Sequence, residues 1–370
     1  MMKIKTKKEF ASSLPCEMRT LFNRGAAILK RSDPQASNPS SASNLRPNTS
    51  NEAKPLASVS LDLDNQWSYM KTHGDQGWEE FPSYLDIFIP HVLDALDQLN
   101  LKITFFIVGQ DAALEKNKDF LKSITDHSHE VGNHSFHHEP WLHMYSKDRI
   151  EREILETGNL IHQVTGQKPI GFRGPGFSWS PNLFEILLKN GYIYDASTLP
   201  TYLGPLARMY YFWTSDLTKE EKNKRKELFG TFKDGMRPVK SYRWQLPSGE
   251  RLLEIPVTTI PIIKTPFHLS YLLYLSRLSK ILMSFYLNMA IFFCKMTGTE
   301  PSFLLHPLDL LGGEQVPELA FFPGMELSWE QKLTTLNKVI RALSRHYKLV
   351  NMSTHANSIL KEDDLKVVKL

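Results

Sequence analysis

Cysteine is nearly absent from this sequence, with Cys16 and Cys294 the two among 370 residues. Small secreted proteins held together by disulfides contain many more, so we expect no disulfide framework. Strong charge of one sign is also missing, because the formal net charge is +4 and no run of Lys and Arg alternates with aromatic residues. A nucleic acid is therefore not an expected partner.

The basic stretch 1–30 is not followed by the apolar run that a secretory signal peptide requires. We therefore expect a cytoplasmic or membrane-peripheral protein. Residues 32–55 are rich in Ser, Asn and Pro, which is typical of a disordered linker. These features divide the chain into a tail and linker over 1–55, a folded domain over 56–355 and a C-terminal tail over 356–370.

A long uninterrupted hydrophobic run is missing as well. The most apolar stretch, 269–294, is broken by Arg277 and Lys280, and what remains is shorter than the about 20 residues that a bilayer-spanning helix needs. The stretch belongs to an interval, about 203–300, that we interpret as a large insertion. Its apolar half is interpreted first as a buried helical pair covering the domain, second as a hairpin in peripheral contact with a membrane, and last as a membrane span.

What is present is an ordinary globular composition, 41% hydrophobic and 23% charged, in which short apolar segments alternate with helical ones. The segment "ITFFIVG", 103–109, is β-branched and aromatic, as expected of a strand buried on both faces. Ser146, Ser180 and Ser328 stand where helix N-caps are expected. This regular alternation of strand and helix predicts an α/β layer or barrel around a parallel sheet.

Two aspartates, Asp62 and Asp64, end the first predicted strand in "LASVSLDLD". Side chains two residues apart on a strand point the same way. Two carboxylates aimed into one pocket repel each other unless a cation lies between them or one is protonated. The pair is therefore a candidate for one metal ligand and one general base, although Asp-x-Asp at a strand end is also a common turn.

The stretch "HEVGNHSFHHEPW" contains a second candidate pair, His134 and His138. Their spacing of four would place them on one face of a helical turn, with His137 facing elsewhere. Without another ligand such a pair is as often structural as functional. With Asp64 it would form a His₂Asp set that suits zinc or another divalent first-row metal and leaves room for water and substrate.

Two further polar residues follow predicted strands. Arg173 in "GFRGPGF" can hold a carboxylate through two hydrogen bonds, and the glycines after it allow backbone amides to approach a substrate. His306 in "FLLHPLD" can donate a proton to a leaving amine. Either residue alone could be structural, but four polar clusters at the ends of four strands are hard to explain by packing.

The motifs "SLDLDN", "ITFFIVG", "HEVGNHSFHH", "FRGPG" and "FLLHPLD", in this order, resemble those of the polysaccharide deacetylase family, the nodulation-type carbohydrate esterases of family 4. The resemblance covers about 56–306, and it implies a distorted (β/α) barrel with a large insertion. It also implies metal-dependent hydrolysis of N-acetyl groups on amino sugars. The family pattern has two adjacent aspartates followed by Gly, whereas here Leu63 separates the pair and Asn65 follows, as in a divergent Asp-x-Asp branch.

Carried over residue by residue, the resemblance implies that Asp64, His134 and His138 bind the metal. It implies that Asp62 is the general base and that Arg173 orients it.

The remaining positions of the family pattern are also filled. The resemblance implies that His306 is the general acid, that the backbone amide of Gly176 binds the oxyanion, and that Leu304 lines the pocket for the acyl methyl group. Asp195 in "YIYDAS" matches a later aspartate–tryptophan element only loosely and is assigned a supporting role.

The leading hypothesis is a hydrolase that uses one divalent metal ion, zinc by preference. It would remove an N-acetyl or N-formyl group from an amino sugar of a glycan or of a lipid- or nucleotide-linked glycan precursor. Two alternatives stay open: a metal-independent hydrolase of cyclic amides with the same fold, and a barrel that binds carbohydrate without catalysis. A chelator titration separates the first alternative from the leading hypothesis, and loss of turnover on changing His306 would exclude the second.

Overall fold

The computed structural model describes residues 54–203 and 234–370. Nearly all of the predicted tail and linker, and residues 204–233 of the predicted insertion, lie outside this part.

Strands of the described residues form one large sheet. The strands are β1 (Leu56–Leu63), β2 (Thr104–Ile107), β3 (Glu130–Asn133), β4 (Gly171–Phe172), β5 (Tyr194–Asp195), β6 (Tyr242–Gln245), β7 (Arg251–Glu254), β8 (Ser302–Leu305), β9 (Lys348–Val350) and β10 (Val367–Lys369). Their order is β10-β6-β7-β5-β4-β3-β2-β1-β8, and β9 pairs with the start of β1. Neighbouring strands are parallel, as predicted, except for the antiparallel pair β6 and β7.

Helices connect and cover these strands. They are α1 (Gln66–His73), α2 (Leu85–Gln98), α3 (Gly109–Ala113), α4 (Lys118–Asp126), α5 (Lys147–Thr165), α6 (Pro181–Lys189), α7 (Leu269–Leu278), α8 (Lys280–Thr297), α9 (Trp329–Ser344) and α10 (Met352–Ile359). The predicted N-caps are confirmed, because Ser146, Ser180 and Ser328 each accept a backbone N–H from the first turn of α5, α6 and α9.

The two faces of β1 differ in polarity, because one packs under the helices and the other lines the interior of the curved sheet. Alternate residues Ala57, Val59, Leu61 and Leu63 are buried in the apolar layer under the helices. The opposite face carries Ser58, Ser60 and Asp62, so the interior of the fold is polar at this strand. The segment after β7 reaches β8, since the amide of Thr258 donates to the carbonyl of Ser302 at 3.1 Å. The predicted α/β class is therefore confirmed, with a sheet bent round a polar interior.

Residues 356–370, which we predicted as a C-terminal tail, include the end of α10 and the whole of β10. His355 and Ala356 of α10 are buried, and β10 pairs in parallel with β6. The valines Val367 and Val368 suit an edge strand, which explains why this segment lies against the sheet.

The apolar half of the predicted insertion forms α7 and α8. One side of this helix pair packs into the main core through residues such as Leu272, Leu287 and Ala290, which supports the interpretation as a buried pair. Its other side carries exposed apolar residues, considered below. No helix within 54–203 and 234–370 is both long and apolar enough to cross a bilayer.

Candidate metal centre and active site

The candidate residues converge where β1, β3, β4 and β8 end. These strands are parallel, so their carboxyl ends lie at the same edge of the sheet, where α/β folds build their sites. Asp64 follows β1, His134 follows β3, Arg173 follows β4 and His306 follows β8.

Asp64, His134 and His138 form the one group of three or more His, Cys, Asp or Glu residues with metal-binding geometry found in the described part of the chain. Their ligand atoms lie within 4.8 Å of one another. Nε2 of His138 is 2.9 Å and Nε2 of His134 is 3.4 Å from Oδ1 of Asp64. Two imidazole nitrogens and one carboxylate oxygen are the ligand set that catalytic zinc sites use.

The protonation of this group fits a bound cation. Nδ1 of His134 lies 2.6 Å from the carbonyl of Arg173, and because a carbonyl only accepts, Nδ1 carries the hydrogen. In the neutral ring Nε2 is then a bare acceptor that faces another acceptor, Oδ1 of Asp64. That buried oxygen accepts no hydrogen bond of acceptable geometry within the described residues. Such a pair needs a cation or a proton between its members, so these residues suit a divalent metal.

The charge of Asp64 also fits this assignment. Burial raises the pKa of its carboxyl, but the two imidazoles, His138 above all, hold that pKa well below its ordinary value. Asp64 is therefore ionised over the neutral range, as a metal ligand must be.

The prediction that His134 and His138 share a helical turn is wrong. Both lie in an irregular loop after β3, and the loop brings them together through left-handed backbone at Ser135 (φ 60°) and at His138 itself (φ 52°). Such angles are uncommon for residues other than glycine and persist where neighbouring groups hold them. One holding contact is local, since the amide of Ser135 donates to Oδ1 of Asn133 at 2.9 Å.

The other holding contact comes from Glu153 on α5, a residue that the sequence analysis missed. Its carboxylate accepts the backbone amides of Phe136 and His137 at 2.9 and 3.0 Å. It also lies 2.6 Å from Nδ1 of His137, which turns the His137 ring away from the metal centre, as predicted. Glu153 thus supports the loop between the two candidate metal ligands, His134 and His138.

Asp62 lies beside the three-residue centre and is held by Arg173. Nη1 of Arg173 donates to Oδ1 of Asp62 at 2.7 Å and to Oγ of Ser60 at 2.9 Å, and Nε donates to the carbonyl of Ala196 at 3.0 Å. The guanidinium stacks 4.4 Å from the ring of Phe106, and Arg173 is fully buried. The predicted contact between Arg173 and Asp62 is therefore present.

His306 approaches Asp62 from the opposite side. Its Nε2 lies 3.9 Å from Oδ2 of Asp62, and its Nδ1 lies 3.6 Å from Oδ2 of Asp309. Oδ2 of Asp309 also accepts the backbone amide of His306 at 2.9 Å. At 3.6 Å the Asp309 carboxylate acts on the ring by its charge more than by a direct hydrogen bond.

The electrostatic surroundings favour the protonated form of His306. Burial lowers its pKa, but the contact with Asp309 and the charges of Asp62 and Asp64 outweigh burial and raise the pKa to about 9. At neutral pH the ring therefore carries a proton that it can donate. Asp309 was not among the predicted residues, although its place three residues after His306 in "HPLD" is a local signal that could have identified it.

Gly176 and Leu304 occupy the walls around these groups. Gly176 lies in the turn Pro175–Phe177 with φ 58°, and a Cβ there would stand 2.8 Å from Cβ of Pro140, two residues after His138. Only glycine fits this close approach without strain. Leu304 pairs with Ser60 in register and is fully buried, so it lies on the same polar interior face as Asp62.

Asp195 does not reach the metal centre. It accepts hydrogen bonds from the amide and hydroxyl of Ser197, and that hydroxyl accepts the amide of Gly174 at 2.8 Å. Burial and the charge of Asp195 raise the pKa of neighbouring Glu254 well above its ordinary value, so Glu254 is the protonated member of this carboxyl pair. Asp195 thus supports the loop after Arg173 from behind.

Asn65 stands where the common family pattern has glycine, and its side chain stabilises the end of β1 through hydrogen bonds. It accepts the amides of Gln66 and Tyr84 at 2.8 and 3.2 Å and donates to Oδ1 of Asp111 at 2.7 Å. The Tyr84 hydroxyl donates to the carbonyl of Asp64. These bonds attach the end of β1 to the start of α2 and so fix the strand end that carries the two aspartates.

His268, from the predicted insertion, is a further residue that the sequence analysis missed. Its ring centroid lies 6.3 Å from that of His306, and its buried Nδ1 has no hydrogen-bond partner within 54–203 or 234–370. Burial, with the charge of His306, lowers its pKa to about 4, so the ring is neutral at pH 7. The surrounding sequence gave no sign of this position, because the stretch is dominated by apolar residues.

Part of the chain is similar to known polysaccharide deacetylases. A family model described as polysaccharide deacetylase matches residues 75–194, which include His134, His138 and Arg173. A peptidoglycan deacetylase of Helicobacter pylori is 28% identical over 210 residues, covering 54% of this chain and 67% of that protein. A peptidoglycan-N-acetylglucosamine deacetylase of Bacillus cereus is 35% identical over 88 residues, covering 24% of this chain and 31% of that protein. The chain thus spans about two thirds of the first relative and a third of the second.

One solved structure supports the fold. The chain superposes on a polysaccharide deacetylase candidate from Mycobacterium smegmatis with a TM-score of 0.54 at 16% sequence identity. The alignment covers 86% of this chain and 95% of that one. At this identity the similarity concerns the fold alone, and it confirms the predicted distorted (β/α) barrel.

Proposed function

We propose that the chain is a polysaccharide deacetylase, a metal-dependent hydrolase that removes an N-acetyl group from an amino sugar, because a model of that family matches residues 75–194 and its relatives include peptidoglycan deacetylases. The observation that carries this proposal is the placement of Asp62 between the Asp64–His134–His138 centre and His306. A metal centre, a carboxylate base and a protonated histidine side by side are what amide hydrolysis needs.

Asp64, His134 and His138 would hold the cation. A divalent ion bound there would polarise the acyl carbonyl and make a water molecule more acidic. The two nitrogen ligands and one oxygen ligand favour zinc among common divalent metals, although other first-row metals accept the same set.

Asp62 would be the general base. Arg173 holds Oδ1, and Oδ2 is turned towards the side of His306. A base fixed by a buried guanidinium loses little freedom when it accepts a proton from the attacking water. The hydroxide so formed adds to the acyl carbon, and the proton stays on Asp62.

His306 would be the general acid. Its Nε2 lies 3.9 Å from Oδ2 of Asp62, so a reacting amide that lies beside this pair would be within reach of both. Proton transfer from Nε2 to the amide nitrogen accompanies breakage of the carbon–nitrogen bond. The products are acetate and the free amine of the sugar. The backbone amide of Gly176 would stabilise the oxyanion of the tetrahedral intermediate, and Leu304 would pack against the acyl methyl group.

Peptidoglycan is the proposed class of substrate. The relatives named above are peptidoglycan deacetylases, one of them specific for N-acetylglucosamine by name. Lipid- or nucleotide-linked precursors of the same glycan carry the same N-acetyl group and belong to the same proposal.

The test is a deacetylation assay on N-acetylglucosamine oligomers and on peptidoglycan, read by mass spectrometry with and without a chelator. We expect acetyl loss that stops on chelation and returns with zinc. Asp62→Asn and His306→Gln should each lower kcat by about 10²-fold or more. Asp94→Asn and His127→Gln, at exposed positions on other surfaces, are the matched controls.

Three outcomes would contradict the proposal. Turnover that is insensitive to chelation would favour the metal-independent hydrolase. Saturable binding of the sugar without turnover would favour the carbohydrate-binding barrel. Loss of a formyl instead of an acetyl mass would change the assigned acyl group.

A further inference from the structure

Helix α8 carries an exposed apolar stripe on the side that faces away from the core. The stripe consists of Ile281, Phe285, Phe292 and Met296, which are 75, 65, 59 and 56% exposed. These residues recur at intervals of four, seven and four, so they follow one line along the helix, roughly 22 Å long. Asn288 lies on the same line and is the one polar member of that face. Two largely exposed phenylalanines on one line exceed the scattered apolar residues of an ordinary surface.

The exposure continues onto α7, where Tyr274 and Leu278 are each 41% exposed. The opposite side of α8 is buried in the core through Met283, Leu287 and Ala290. The stripe is therefore the outer face of a firmly packed helix.

Basic residues accompany this stripe. Residues 269–297 contain Arg277, Lys280 and Lys295 and no Asp or Glu, although Arg277 forms an ion pair with Glu326. Lys338 on α9 adds a further charge, because its Nζ donates to Oγ of Ser284 on α8 at 2.5 Å. On the helix, Lys280, Ser284 and Lys295 lie to one side of the stripe. The surface thus combines an apolar line with a parallel basic row.

We propose that the α8 stripe docks on the surface of an anionic lipid bilayer. A helix with this pattern lies in the plane of the interface, with its aromatic and aliphatic side chains among the lipids and its lysines at the head groups. Head groups of negative charge match the basic row. A second copy of the chain fits less well, since a symmetric contact through the stripe would bring two rows of lysines together. The membrane-peripheral location expected from the sequence stays a prediction, and the α8 stripe is the surface that would contact the membrane.

The helix pair that carries the stripe begins at one edge of the proposed site. Helix α7 begins directly after His268, whose ring is 6.3 Å from that of His306. Docking through α8 would hold this edge of the site close to the bilayer. The docking itself does not depend on the proposed reaction.

The test is co-sedimentation of the purified full chain with vesicles of phosphatidylcholine, alone or mixed equally with phosphatidylglycerol. We expect binding to the mixed vesicles that weakens as salt rises. Phe285→Ser with Phe292→Ser should weaken binding at least about tenfold. Lys280→Glu with Lys295→Glu should weaken it by about fivefold or more for each lysine replaced.

The matched controls are Leu155→Ser, an exposed leucine on α5, and Lys122→Glu, an exposed lysine on α4. Both should bind vesicles as the wild type does. The proposal is overturned if the wild type ignores anionic vesicles, if neutral vesicles bind equally well, or if the stripe variants bind unchanged. A dimer in sedimentation equilibrium that the phenylalanine variants dissociate would assign the stripe to a second copy instead.

Turnover of soluble N-acetylglucosamine oligomers separates this proposal from the proposed function. The stripe variants should keep wild-type turnover while they lose vesicle binding. A wild type that binds vesicles without deacetylating any substrate would leave the docking proposal intact and contradict the proposed reaction.

Discussion

Arg173 and Asp62 form a buried ion pair, with 2.7 Å between Nη1 and Oδ1, beside the candidate metal centre of Asp64, His134 and His138. The guanidinium also binds Ser60 and the carbonyl of Ala196, so it joins β1 to the segment after β5. A lysine could keep the charge at this position but not the several directed hydrogen bonds.

We therefore predict that Arg173→Lys lowers kcat by about 10²-fold while KM changes little, because the base loses its orientation and the substrate contacts remain. Steady-state kinetics on an N-acetylglucosamine oligomer measures both constants. A rise in KM with unchanged kcat would contradict a positioning role.

Arg173→Met should also destabilise the metal-free protein by about 3–5 kcal/mol, because Asp62 is left buried without its partner. Urea unfolding measures this loss. The double variant with Asp62→Asn should recover part of it, and strict additivity of the two changes would show that the pair does not interact.

Removal of a metal ligand should abolish stabilisation by zinc. Zinc that binds the folded chain alone raises the free energy of unfolding by about 2.7 kcal/mol at a hundredfold excess over Kd. The melting temperature of the wild type should rise on zinc addition, and that of Asp64→Ala, His134→Ala or His138→Ala should not. His137→Ala is the matched control, since its ring faces Glu153. An equal response in all four variants would argue against the assigned centre.

Glu153→Gln should weaken zinc binding by about 10- to 100-fold without removing any ligand, since the charge that holds two loop amides is lost. Isothermal titration calorimetry gives the affinity. Glu156→Gln, an exposed change on the same helix, should leave the affinity unchanged. Equal zinc affinities for both variants would show that Glu153 does not support the loop that carries His134 and His138.

In the zinc-free protein His306 should titrate near its raised pKa of about 9, and Asp309→Asn should lower this value. The ring resonances followed by NMR report it directly. Because the folded pKa exceeds the ordinary 6.5, protonation of His306 stabilises the fold fully below about pH 6.5, and this stability is lost as pH rises through about 9. A titration that is the same in both proteins would show that Asp309 does not act on the ring.

His268→Ala should reduce kcat/KM by about three- to tenfold, the effect of one lost hydrogen bond to a substrate. The reason is its unpartnered buried Nδ1 beside His306. His127→Ala, an exposed histidine on a distant helix end, is the control. Unchanged kinetics in His268→Ala would make this residue a packing element.

Features with local causes could be predicted from the sequence. The caps Ser146, Ser180 and Ser328 act on amides within their own first turn, and β1 and β2 show their burial in their residue types. The convergence of Asp64, His134 and Arg173 follows from parallel strands that end at one edge.

Features with distant causes could not. The left-handed backbone at Ser135 and His138 depends on Glu153, which belongs to another helix, and so the spacing of the two histidines suggested a helical turn that does not form. The antiparallel pairing of β6 with β7 departs from the parallel rule because a short hairpin joins them. His268 lies beside the site because α7, which begins directly after it, packs there. No local sequence pattern predicts this packing.

The position of β1 has a consequence for synthesis of the chain. Two of the three neighbours of this strand, β8 and β9, follow it by more than 230 residues, so they leave the ribosome long after it. Contacts between such distant segments make folding slow, because a long loop must close before they form. Asp62 and Asp64 therefore cannot be placed beside His306 until β8 has been synthesised. Until then β1 lacks two of its partners and can bind chaperones or pair wrongly.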